Sequence, residues 1–158
     1  MWGRGVIILA IDPGTQCGWA IRDESGITQG GVWNLKGSRF EGAGMRFLRL
    51  ERMFTTALSL ASPDVVVLEE VRRHKGTDAA HIYGGIIAVI AKECEKRDIP
   101  YFAIPVGTIK KNATGRGNAS KDDMMDAAHE MWPDDVIVSE DACDARWIAE
   151  AAWREVGS

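Results

Sequence analysis

Two short runs of the chain, Val6 to Ile11 and Val65 to Leu68, are apolar at every position, and each stops on a carboxylate, Asp12 and Glu69. A run without alternation suits a strand buried on both faces, so its terminal carboxylate is pushed to the rim of a sheet covered by helices. Asp12-Pro13-Gly14 is also ordinary turn chemistry: Asp opens the turn, Pro fixes φ, and Gly takes a positive φ. Asp12 is thus open to two readings, turn former or functional group. The rest of the chain must decide whether other carboxylates reach the same rim.

Between the two runs, Gly18 to Asp23 and Ile27 to Trp33 read as strands joined by the short turn Glu24-Ser25-Gly26, which makes the first three strands an antiparallel meander. Glu41 to Ala61 places Phe47, Leu50, Phe54 and Leu58 on one stripe and predicts an amphipathic helix ended by Ser62-Pro63. A second helix runs from Ala79 to about Lys96, with Ile82, Ile86, Ile90 and Cys94 on one line and Tyr83, Ile87 and Val89 widening it, which suggests a further contact with another copy of the chain. Tyr101 to Ile104 is a short strand closed by Pro105, and Val106 to Lys111 begins a helical turn. Asn112 to Ala119, with two Gly, two Asn and no large apolar group, predicts a mobile loop. Ser120-Lys-Asp-Asp123 has the spacing of a capping box for a helix through Met131, and the last helix runs from Ser139 or Glu140 to Val156. Strands alternating with helices around a mixed sheet make an α/β domain.

Length and composition set the remaining bounds. A chain of 158 residues with 46% hydrophobic and 27% charged residues is expected to form one globular domain over 1–158. Residues 1–5 lead straight into the first strand, and no apolar run reaches membrane-spanning length, so the expectation is a cytoplasmic protein with no membrane partner. Cys17, Cys94 and Cys143 are odd in number and far apart, which suits reduced packing residues rather than disulfides or a Cys-x-x-Cys metal site. The six Trp residues are scattered and read as core or interface residues rather than stacking platforms.

The formal net charge of −4 argues against a nucleic-acid partner until its distribution is considered. Thr108 to Lys121 carries Lys110, Lys111, Arg116 and Lys121 with no acid, whereas Asp122 to Asp144 carries nine acids with no Lys or Arg. A second basic knot, Arg72-Arg73-His74-Lys75, follows Glu69-Glu70 at once.

The last helix opens with Asp141-Ala-Cys-Asp144, a spacing that puts both Asp side chains on one helix face beside the apolar stripe Ala145, Ile148, Ala149 and Ala152. Acids in a first helical turn also serve as caps and complement the helix dipole. The conjunction weighs more than any member: four acids at element ends can be gathered by one sheet rim. Two like charges about 4 Å apart repel by roughly 4 kcal/mol at an effective dielectric of about 20, so such a group calls for cations or shared protons. Hard oxygen donors suit Mg2+ or Mn2+, and a pair of such ions suits phosphodiester hydrolysis. Glu70 adjoins Glu69, and composition does not separate them.

These residues also carry a resemblance. Ile11-Asp12-Pro-Gly-Thr15, Leu68-Glu69-Glu70-Val71, Thr108-Ile-Lys-Lys111 with Gly115 to Lys121, and Asp141-Ala-Cys-Asp144-Ala145 together resemble RuvC-type Holliday junction resolvases, compact phage variants among them, of the RNase H-like nuclease superfamily. The resemblance spans nearly the whole chain. It implies an RNase H-like five-stranded mixed sheet flanked by helices, a homodimer, and Mg2+-dependent nicking of branched DNA that leaves 5′-phosphate ends. It assigns two metal ions per site to Asp12, Glu69, Asp141 and Asp144, choosing Glu69 over Glu70. Lys111 and Lys121 match basic positions near the scissile phosphate, which places Lys121 with the catalytic acids. Arg72, Arg73, Lys75, Lys110, Lys111, Arg116 and Lys121 are the expected DNA contacts. Arg72 stands where bacterial members carry an aromatic residue. The competing expectations are a flap, fork or RNA–DNA duplex nuclease of the same superfamily, and a non-catalytic junction-binding protein whose acids only cap helices. An actin-like or sugar-kinase phosphate loop at Asp12 to Thr15 would need a second domain of this size.

Overall fold

The computed structural model describes residues 5–157; Met1 to Arg4, including Trp2, and Ser158 lie outside the described residues. Ten elements follow in order: β1 (Ile8–Asp12), β2 (Gln16–Asp23), β3 (Gly26–Asn34), α1 (Met45–Ala61), β4 (Val65–Glu70), α2 (Thr77–Lys96), β5 (Tyr101–Pro105), α3 (Val106–Thr114), α4 (Lys121–Met131) and α5 (Glu140–Val156). The five strands form one mixed sheet in the order β3-β2-β1-β4-β5. The β1–β2 and β2–β3 pairs are antiparallel, and β4 lies parallel to both β1 and β5. The two apolar runs are therefore adjacent central strands, and both carry their carboxylates at the same end.

Strand alternation divides the core in two. Ile8, Ala10, Val65 and Val67 face α3, α4 and α5, among Ile109, Met124, Ala145, Ile148 and Ala149. Leu9, Ile11, Val66 and Leu68 face α1 and α2, among Leu50, Phe54, Leu58, Ile86 and Ile90. Cys17, Cys94 and Cys143 are buried free thiols, and among the described residues no helix is long and apolar enough to cross a membrane. Among the tryptophans, Trp19 stacks on Trp33 at 5.7 Å and Trp132 tilts against Trp147 at 4.7 Å, so both pairs pack against side chains of this chain.

Three local expectations change. Helix α1 starts at Met45 rather than Glu41, because Glu41 closes a turn onto Ser38 and Gly44 is the N-cap. The loop expected over Asn112 to Ala119 is shorter and starts at Gly115: α3 continues to Thr114, whose hydroxyl donates to the Lys110 carbonyl at 2.9 Å, while Ala113 packs on the core. The helix ends where Gly115 adopts the left-handed conformation at φ 85°, and Ala119 is again buried. Finally, Ile86 on α2 is fully buried against α1 and the sheet rather than available to a second copy. The capping box of Ser120 and Asp123 forms as expected.

Candidate active site

Asp12 continues the parity of Ile8 and Ala10, and Glu69 continues that of Val65 and Val67, so both carboxylates leave the sheet on the α5 face. Glu70 has the opposite parity. Its carboxylate instead accepts a hydrogen bond from Arg72 at 3.0 Å, on an exposed surface. The pleat therefore separates two acids that are neighbours in sequence. Glu69 shares a cleft of about 190 Å³ with Asp144, Lys110, Lys121 and the apolar floor of Val106, Ile109, Met124 and Ile148. A larger groove of about 500 Å³ lies over β2, β3 and α1 and contains none of the four acids.

Helix α5 delivers the other two carboxylates. Its N-cap is Ser139, whose hydroxyl accepts from the Ala142 amide at 3.2 Å, so neither Asp141 nor Asp144 is needed as a cap. The helix comes close because β2 offers no side chain at Gly18, the cross-strand partner of Asp12. A Cβ at Gly18 would lie 2.0 Å from the Asp141 carbonyl oxygen and 3.3 Å from the Ala145 Cβ. This contact brings Asp141 within hydrogen-bonding range of Asp12, which also hydrogen-bonds Glu69.

The electrostatics follow from that crowding. Burial, then the charges of Glu69 and Asp144, raises the Asp12 carboxyl well above its usual range. Burial also raises Glu69, against the opposing charge of Lys110, and burial raises Asp141. Asp144 is raised to about 7, first by burial and then by Glu69 and Asp141. Such a group is held together by shared protons or by cations. Its donors are carboxylate oxygens alone, which suits a hard divalent ion in kind. Among the described residues, no three acid, imidazole or thiol side chains already stand as a closed ligand shell.

The expected basic residues separate into groups. Lys110 and Lys121 line the cleft, and Lys121 is paired with Glu140 at 3.2 Å, which raises its pKa. Lys111 is exposed and does not line the cleft; its carbonyl accepts from Gly115. Arg116 pairs with Asp123 at 2.9 Å, and Arg72 pairs with Glu70. Arg73 borders a shallow depression with Pro105 and Gly107, and Lys75 is exposed beyond it.

Sequence reasoning missed two positioning residues. Gly18 reads as an ordinary strand residue, and only its register opposite Asp12 reveals its use. Tyr83 reads as part of an apolar surface, yet its hydroxyl donates to the Glu69 carbonyl at 3.1 Å and accepts from the Val71 amide at 3.3 Å. It thereby ties α2 to the end of β4 that carries Glu69. Chain position offered no signal for it.

No protein-family model matches the chain. A RuvC crossover junction endodeoxyribonuclease of Chlamydia trachomatis serovar L2 is 33% identical over 119 residues, which cover 73% of this chain and 70% of that protein. The protein of the same description from Nitratidesulfovibrio vulgaris (strain DP4) is 30% identical over 122 residues, covering 74% and 72%. Among solved structures, T. thermophilus RuvC in complex with a Holliday junction substrate superposes with a TM-score of 0.80 at 21% identity, covering 92% of each chain. The yeast mitochondrial Holliday junction resolvase Ydc2 gives 0.65 at 18% identity, over 93% of this chain and 77% of that one.

Proposed function

The chain belongs to the RuvC family of crossover junction endodeoxyribonucleases, and from that premise we propose that it nicks Holliday junctions and related branched DNA through Asp12, Glu69, Asp141 and Asp144. The observation that carries the reading is the convergence of acids from β1, β4 and α5 at one end of the sheet, beside a cleft that Glu69 and Asp144 line, with all four raised by burial and Asp12 and Asp144 raised further by the charges of the other acids. A structural role does not require it, since Ser139 already caps α5.

As in the family, the enzyme uses divalent metal. The four carboxylates would hold two Mg2+ ions, with Mn2+ as a substitute. Ions held there would supply a water activated near neutral pH and neutralise charge on the leaving oxygen. The chain's own residues do the rest. Lys110 and Lys121 present cations on the same cleft and hold the phosphate against the acids, Lys121 after exchanging Glu140 for the phosphate. Arg73, Lys75 and Lys111, exposed around the cleft, hold the flanking backbone. Arg72 and Arg116 join them by giving up Glu70 and Asp123. The products are 5′-phosphate ends.

We further propose a homodimer through α2. Its outer face carries His81, Gly84 and Ala88, all exposed, so another helix can approach closely. Because Ile86 is buried, Ala88→Arg is the appropriate probe. Light scattering is expected to show a dimer for the parent chain and a monomer for the variant; a monomeric parent at micromolar concentration refutes the assembly.

Cleavage of synthetic four-way, three-way, flap and linear DNA with Mg2+, Mn2+ or EDTA tests the function. Four-way junctions are expected to be nicked in Mg2+ and untouched in EDTA. Asp12→Asn and Asp144→Asn are expected to abolish nicking and retain binding. Preference for flaps or RNA–DNA duplexes would move the enzyme elsewhere in the superfamily, and unaltered activity in both variants would remove the acids from catalysis.

A further inference from the structure

Among the described residues, the most exposed aromatic ring lies outside the cleft, on a connection that leaves the sheet at the same end. Phe40 is 85% exposed, whereas Tyr101, next among the described Phe, Tyr and Trp residues, is 38% exposed. Phe40 sits in the β3–α1 connection, which leaves the sheet beside Asp12. Register shows this: Asp12 pairs with Gly18, Gly18 with Val32, and β3 runs on to Asn34 opposite Gln16. The Leu35 amide then donates to the Thr15 carbonyl at 2.7 Å, tying the base of the connection to the turn that follows Asp12. Two strand spacings separate β3 from β1, about 10 Å. That is about three nucleotide steps along a strand crossing the rim.

The aromatic ring is held out by a defined turn. The Glu41 amide donates to the Ser38 carbonyl at 3.2 Å, which places Arg39 and Phe40 at the two central positions. The Phe40 amide donates to the Ser38 hydroxyl at 3.3 Å, and the Ser38 amide donates to the Glu41 carboxylate at 3.4 Å. Glu41 is also paired with Arg49, so the acid in the turn is spent on structure. Lys36 and Arg39 are left exposed, and the Arg39 guanidinium stands 4.8 Å from the Phe40 ring centroid. These bonds hold Phe40 at an exposed turn position beside the Arg39 cation.

We propose that the Arg39–Phe40 turn is a stacking platform for unpaired nucleobases at the branch point of the substrate, with Lys36 and Arg39 holding the adjoining phosphates. Aromatic rings take up bases of any sequence, while cations beside them track the backbone. Bases inside a duplex are already stacked and cannot be shared, so the contact favours branched over linear DNA. The inference rests on the branched-DNA reading and adds a residue set that confers selectivity.

The test uses the full chain carrying Asp144→Asn, with binding to four-way and linear duplex DNA measured for Phe40→Ala, Phe40→Leu, Phe40→Trp and Arg39→Ala. Phe40→Ala and Phe40→Leu are expected to bind four-way DNA about tenfold more weakly with unchanged duplex binding, and Phe40→Trp to match the parent. Arg39→Ala is expected to weaken both DNAs and to lower the salt slope by about one unit. Photocrosslinking from 5-iodouracil at the branch point is expected to mark Phe40. Parental affinity in Phe40→Ala, full rescue by Leu, equal loss on both DNAs, or a change of oligomeric state would overturn the proposal. A parent chain that binds both DNAs equally overturns the branched-DNA reading itself, and this inference with it.

Discussion

The two faces of the sheet are built from the same strands and solve the same packing problem with residues of different size. On the α5 face the line along which α5 meets β1 and β2 carries small residues: Gly18 and Ala20 from β2, Ala10 from β1, and Ala145, Ala149 and Ala152 from α5. On the α1–α2 face they are large, with Leu50, Phe54, Leu58, Ile86 and Ile90 filling the space. Small residues let the α5 backbone close onto the sheet, which forces Asp141 and Asp144 against Asp12 and Glu69. Large residues hold α1 and α2 further out, and near β2 and β3 that spacing leaves the groove bordered by Trp19, Trp33, Met53 and Leu60. Close approach thus serves the site, and bulk serves stability.

If the contrast holds, substitutions on the two faces fail differently. The largest effect is expected from Gly18→Ala, which must displace the Asp141 backbone. Overpacking of this kind costs about 1–3 kcal/mol, and a misplacement of about 1 Å at a reacting centre costs on the order of a hundredfold in rate. Junction nicking is expected to fall by about that factor in folded protein. Gly44→Ala, where a Cβ meets nothing within 4 Å, is the matched control and is expected to nick normally. Equal activity of the two variants would break the comparison.

Phe54→Ala on the opposite face is expected to lower stability by about 3–5 kcal/mol in urea titration, because the ring is fully buried. The rate per folded molecule should stay near that of the parent. A loss of rate without loss of stability would show that the two faces are not separable.

The smallest effect concerns pH. Asp144 is raised from 3.8 to about 7, so its protonated form is the one the fold favours. Its contribution to stability is therefore complete below the unfolded value near 4 and is lost as pH rises through about 7. In EDTA the melting temperature is expected to be lower at pH 8 than at pH 5. Asp144→Asn should reduce that difference, and Mg2+ at pH 8 should restore part of it in the parent. A melting temperature that rises from pH 5 to pH 8 would contradict the crowding of the acids.

Much of this architecture is written locally. The apolar runs ending at Asp12 and Glu69, the hairpin at Glu24 to Gly26, the capping box at Ser120 and the stripe along α5 depend on periodicity and turn chemistry over a few residues, and each appears where those rules place it. Local composition misled where tertiary contacts overrode it. Asn112 to Thr114 lacks large apolar groups, yet Ala113 finds the core and the helix continues. Glu41 has helical spacing, yet its carboxylate is taken by Ser38 and Arg49.

Most elements and the resemblance to the RuvC family could be read from local pattern and motif alone. Tertiary structure decided what adjacency in the chain cannot express. It separated Glu69 from Glu70 by sending alternate residues to opposite faces, and it made Gly18 the point where α5 reaches Asp12. It also gave Tyr83 a hydrogen-bonding task at the end of β4, and it left the Phe40 ring exposed in the β3–α1 connection. Each of these outcomes depends on strand register and helix distance, which arise only when segments far apart in sequence pack together.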